Sequence, residues 1–103
     1  MEEYFAQGID EYGRIFLNDD VRGRTILGAN SNVAVHSIGT VVFLQRMDSE
    51  DIPQQHFVKT IDNLGNIELP AELMEKLKWK TGDEISVFYA DAKTIVLHLD
   101  KDN

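Results

Sequence analysis

The chain spells one pattern twice, and this constrains its fold more than any other feature. Ile9-Asp10-Glu11-Tyr12-Gly13-Arg14-Ile15-Phe16-Leu17 lies over Ile61-Asp62-Asn63-Leu64-Gly65-Asn66-Ile67-Glu68-Leu69 at a constant offset of 52, with Ile, Asp, Gly, Ile and Leu coinciding. At the same offset Val21 falls on Leu73, Val33 on Ile85 and Val35 on Val87. One residue of slack then brings Val42 and Leu44 onto Ile95 and Leu97. A repeat of this kind is a supersecondary unit that cannot bury its apolar face alone, so the copies are expected to fold together.

Each copy reads as β-hairpin, helix, β-hairpin. In Asp10-Glu11-Tyr12-Gly13 and Asp62-Asn63-Leu64-Gly65 the aspartate opens a turn by bonding its own backbone and the glycine closes it in the left-handed region, which predicts a hairpin at each. Ile15 and Leu17, or Ile67 and Leu69, alternate as in a strand with one buried face. Residues 70–78 predict a helix: Pro70 suits the first position, Glu72 sits early, Lys76 and Lys78 sit late, and Leu73 and Leu77 share a face. The first copy spells this helix less well, since Gly23 interrupts it and Thr25-Ile26 are β-branched, so a shorter or frayed helix is expected. Each copy ends in two further strands, around Val33, Val35, Val42 and Leu44 or around Ile85, Val87, Ile95 and Leu97. These eight side chains are expected to line one small β-barrel, because neither hairpin would be stable alone. The whole of residues 1–103 is read as one domain, with repeat one at about 5–46, a polar connector holding Pro53 at about 47–57, and repeat two at about 58–100.

The apolar fraction, 43%, is enough for a packed core. There are no cysteines, which removes disulfides and zinc fingers. Glu2 and Glu3 stand where a secretory signal needs positive charge, and the apolar runs are strand-sized, so a cytoplasmic protein without a membrane span is expected. No Gly-x-Ser-x-Gly, phosphate loop or paired-carboxylate cleft can be picked out, and the chain is read as non-enzymatic. His36, His56 and His98 lack a second ligand at zinc-site spacing, so neither metal nor cofactor is expected. The formal charge of −8 favours solubility and opposes a polyanionic partner. Every arginine lies before Ile52 and every lysine after it, so bidentate contacts to phosphate or guanine fall to the first half.

A strand ending in Asp-x-x-Gly-Arg, an alternating strand, a proline-led helix, a Gly-Asp turn and a final hairpin resemble the AbrB/MazE/SpoVT swapped-hairpin, double-split β-barrel superfamily. Repeat two is similar along the family's whole length. Repeat one matches at Asp10, Gly13 and Arg14 but lacks the proline and the Gly-Asp turn. Two units in one chain are reminiscent of the MraZ branch. The resemblance implies a mostly-β pseudo-dimer and a DNA-binding transcriptional regulator, acting as a homo-oligomer on double-stranded DNA. The positions it implies for DNA contact are Arg14, Arg22 and Arg24, with Lys59 in support. In repeat one the position before the turn aspartate holds Gln7; in repeat two the site after the turn glycine holds Asn66 and the helical sites hold Met74 and Glu75, so repeat two has lost most of that pattern.

Two plainer readings stand beside this one. Arg14 could pair with Asp10 or Glu11, and Arg22 and Arg24, two apart on a helix, cannot point the same way, so one of them is expected to be structural. The acidic balance also suits an acidic protein-interaction or antitoxin-like module that has kept the fold and shed DNA binding, although only residues 100–103 follow the last strand, little for an antitoxin tail.

Overall fold

The computed structural model describes residues 2–25 and 27–99. The order strand, strand, helix, strand, strand occurs twice: β1 (Glu2–Gly8), β2 (Arg14–Phe16), α1 (Asp19–Thr25), β3 (Asn32–Ile38) and β4 (Val41–Arg46), then β5 (Phe57–Thr60), β6 (Asn66–Glu68), α2 (Ala71–Leu77), β7 (Glu84–Asp91) and β8 (Thr94–Leu99). The fold is mostly β, with all pairings antiparallel and two short helices.

The strands join across the two halves. A six-stranded sheet runs β1-β7-β8-β4-β3-β5, and β2 pairs with β6 in a separate ribbon. The β3–β4 and β7–β8 hairpins stay within their halves, whereas β1 lies on β7 and β5 on β3. This corrects the expected first hairpins. The turns form, with Gly13 N donating to Asp10 O (3.0 Å) and Gly65 N to Asp62 O (3.1 Å), but the strands they join part into different sheets. The cross-half bonds come in matched pairs. Leu17 N donates to Gly65 O and Leu69 N to Gly13 O, both at 2.8 Å. Ile9 N donates to Asp83 O and Ile61 N to Ser31 O, both at 2.9 Å. At the centre of their ladders Ile15 faces Ile67 and Phe43 faces Val96.

All eight side chains expected to line a barrel are buried, in one cluster with Ile9, Ile15, Leu17, Val21, Leu27, Ile61, Ile67, Leu69, Leu73 and Trp79, in a core between a six-stranded sheet and a two-stranded ribbon. The two helices have the same length, so α1 is not the shorter one expected. Asn18 Oδ1 accepts from Val21 N (2.9 Å), capping its first turn, and Thr25 Oγ1 donates to Val21 O (2.8 Å). Burial of Val21 and Thr25 outweighs the low helix propensity of Gly23. Where the second half uses Gly82 at positive φ, the first uses Asn30 (φ 65°), a residue that also tolerates the left-handed region. Asn30 N donates to Ile61 O as Gly82 N donates to Ile9 O. Among the described residues no helix is long and apolar enough to cross a membrane.

Candidate functional site

The four basic positions singled out in the sequence lie around the β2–β6 ribbon and α1, and each is in an ion pair with a carboxylate of its own chain. Arg14 opens β2, opposite Glu68 in register. Its Nε donates to Asp10 Oδ2 at 2.8 Å, its Nη1 lies 4.0 Å from Asp62 Oδ2, and its guanidinium sits 4.9 Å from the centre of the Tyr12 ring. The side chain is 36% exposed. Arg22 is more deeply held, with 15% of its side chain exposed; Nε donates to Leu17 O at 2.9 Å and Nη2 pairs with Asp19. It ties α1 to the ribbon, which makes it the structural arginine of the Arg22/Arg24 pair. Arg24, 52% exposed, has its Nε 3.7 Å from Asp20 Oδ2. Lys59 Nζ donates to Glu68 Oε1 at 3.2 Å.

The turns explain why the acids are there. Asp10 Oδ1 accepts from the backbone N–H of Tyr12 (2.9 Å) and of Arg14 (2.8 Å), and Asp62 Oδ1 accepts from Leu64 and Asn66 (both 2.9 Å). These carboxylates shape the chain reversal and cannot leave without undoing it. Partial desolvation works to raise the Asp10 pKa, but the Arg14 backbone N–H, the Arg14 guanidinium and the Tyr12 N–H together hold it below the ordinary aspartate value. At Asp62 the backbone N–H of Asn66 leads, outweighing desolvation with help from Leu64 and Gly65, and the pKa is again lowered. The Arg14 pKa is raised, chiefly by its hydrogen bond to Asp10.

A carboxyl whose pKa falls on folding stabilises the native state above its unfolded pKa and loses that contribution as the pH drops through the folded one. Stability held at neutral pH is therefore expected to decline as the pH falls below about 4. Urea midpoints measured between pH 6 and pH 3 should fall more steeply in the native chain than in the Asp10→Asn, Asp62→Asn double variant, which keeps the turn-forming oxygens. Equal slopes would show that these two groups do not carry the dependence.

Around the four cations, then, stand carboxylates that include Asp10, Asp19, Asp20, Asp62 and Glu68. Apart from the more deeply held Arg22, exposed pairs of this sort contribute little to stability. Their effect is on what can approach, because a phosphate arriving at any of these cations also meets a carboxylate.

Sequence reasoning missed a second region. Strand alternation places Val33 and Val35 inward and Ala34 and His36 on the outer face, yet all four are buried. Gln45, opposite Ala34, is buried too. The connector folds back over this part of the sheet: His36 Nε2 donates to Gln45 Oε1 (2.6 Å), Gln45 Nε2 donates to Asp51 Oδ1 (2.9 Å), and the His36 ring stacks on Phe43 at 5.1 Å. The unbroken apolar run Val33-Ala34-Val35 was the available signal that both faces are covered. Next to it, a cavity of about 510 Å³ opens between β3, residues 54–57 and α2. Among the described residues no three His, Cys, Asp or Glu side chains are grouped to hold a metal ion.

No protein-family model and no curated protein matches the chain. Among solved structures it is similar to PHS018 from Pyrococcus horikoshii, a solution structure, with a TM-score of 0.52 and 16% identity over 96% of this chain and 94% of that one. At that identity the likeness speaks for the fold alone.

Proposed function

We propose that this chain is a non-enzymatic protein-interaction module on an AbrB-like scaffold: two β-hairpin, helix, β-hairpin repeats swapped into a small pseudo-dimeric barrel, with the basic positions of that scaffold turned to internal ion pairs. The scaffold part is supported by the symmetric strand order β1-β7-β8-β4-β3-β5 and by the matched bonds across the halves. The functional part is carried by one observation, that each of Arg14, Arg22, Arg24 and Lys59 is engaged by an acid of the same chain, on a protein of charge −8.

The second reading is the AbrB-like regulator that binds double-stranded DNA as a homo-oligomer. It is favoured by the partial exposure of the Arg14 and Arg24 side chains.

A single titration separates them. Fluorescence anisotropy of labelled duplexes at about 50 mM salt, where phosphate contacts are strong, is expected to give no saturable binding below about 100 μM protein. Micromolar binding that weakens steeply with salt and is lost in Arg14→Ala would replace the first reading with the second.

A further inference from the structure

One edge of the large sheet ends early. β3 runs Asn32–Ile38, but β5 accompanies it only from Asn32↔Thr60 to Val35↔Phe57. On the opposite edge β1 follows β7 from Gly8↔Glu84 to Glu2↔Tyr89. His36, Ser37 and Ile38 therefore pair with Phe43, Val42 and Val41 on one side, while on the other no strand among the described residues lies beside them. Before β5 the connector bends at Pro53, where His56 Nδ1 donates to Pro53 O (2.8 Å), and Gln54, Gln55 and His56 line the cavity across from this edge without pairing to it as a strand.

The two-residue turn after Ile38 makes Ile38–Val41 a hydrogen-bonded pair, and alternation then directs the amide and carbonyl of Ser37 toward the vacant edge. That edge opens on the 510 Å³ cavity, walled by Val35, His36, Phe57, Leu73 and, at the rim, Glu72 and Lys76. His36 is only 7% exposed, and its Nδ1, an acceptor once Nε2 donates to Gln45, has no partner among the described residues.

The geometry points to a β-augmentation site: an extended, lysine- or arginine-bearing segment of a partner protein adds to β3 at His36–Ile38, antiparallel to it, in the place that β1 fills on β7. This rests on the protein-interaction reading and names the kind of partner. The segment's backbone bonds Ser37, and its inward side chain enters the cavity against Val35, Phe57 and Leu73. The rim charges Glu72 and Lys76 offset one another, so the net charge of −8 selects a basic segment.

The test titrates the full ¹⁵N-labelled chain with a capped hexapeptide of alternating lysine and valine, its glutamate–valine counterpart, and a lysine–valine version with N-methylated backbone. The lysine peptide is expected to give saturable shifts at His36, Ser37, Ile38 and Phe57. Binding should weaken at least tenfold with the glutamate peptide, with N-methylation and in Ser37→Pro, and about threefold in the surface variant Glu72→Lys, which guards against misfolding of the proline variant. No saturable shift at millimolar peptide, equal binding of the N-methylated peptide, or shifts centred on Phe43 and Phe88 would overturn the proposal. So would edge protection that rises with protein concentration without peptide, which would assign the edge to a second copy. A protein partner that protects another face in hydrogen exchange would sink the edge site and leave the interaction reading standing. Salt-sensitive duplex binding would instead sink that reading.

Discussion

Replacing Gly65 with alanine is expected to cost about 3 kcal/mol or more of folding stability, against about 1 kcal/mol for Gly13→Ala. Both glycines close their turns at positive φ, +96° and +75°, so the conformational part of the cost is similar. The surroundings differ. A Cβ at Gly65 would lie 2.7 Å from the carbonyl oxygen of Leu17 and 3.1 Å from Arg22 Nε. That carbonyl is backbone, and it also accepts the Arg22 bond, while Leu17 N donates to Gly65 O. Relief requires moving one half of the molecule away from the other. At Gly13 the nearest atom is Met74 Sδ at 3.4 Å, the end of a flexible side chain. Urea denaturation measures both, and a thermal midpoint lowered by about 12 °C or more is the matching signature for Gly65→Ala. Equal losses at the two sites would mean that the close approach across the halves is absent in solution.

Ile67→Ala is expected to remove about 2–5 kcal/mol while leaving a single unfolding transition. Ile67 and Ile15 are both buried and lie directly opposite each other in the β2–β6 ribbon, where each half meets the other. A cavity there is walled by residues of both halves, so neither half can be loosened alone. The double-mutant cycle with Ile15→Ala should give a coupling of about 0.5 kcal/mol or more, since the second truncation empties a site the first has already disturbed. Two separate transitions for Ile67→Ala, or strict additivity in the cycle, would show that the halves unfold as independent units.

Much of the interior was legible because it depends on periodicity and turn chemistry. The eight side chains around Val33 and Ile85 are buried as their alternation demands, and α2 begins after its proline. What escaped depends on partners distant in sequence. Asp10 and Asp62 read as turn residues, correctly, but a turn does not reveal that its strands will pair elsewhere, β1 with β7 and β2 with β6. The strength of α1 lay in the Asn18 cap and in the burial of Val21 and Thr25, which outweighed the glycine. At the candidate site the pairing of Arg14 with Asp10 was among the readings the sequence allowed. The second acid, Asp62, is brought up by the other half of the chain, and no spacing argument within one motif could supply it.

The placement of β1 has a consequence for how the polypeptide comes off the ribosome. Its first strand finds its neighbour only in β7, roughly eighty positions later. Until that late stretch has emerged, the apolar face of the early segments stays open, several seconds at ordinary elongation rates. The large sheet is complete only after β7 and β8 have emerged, so the two halves fold as one late event rather than one after the other.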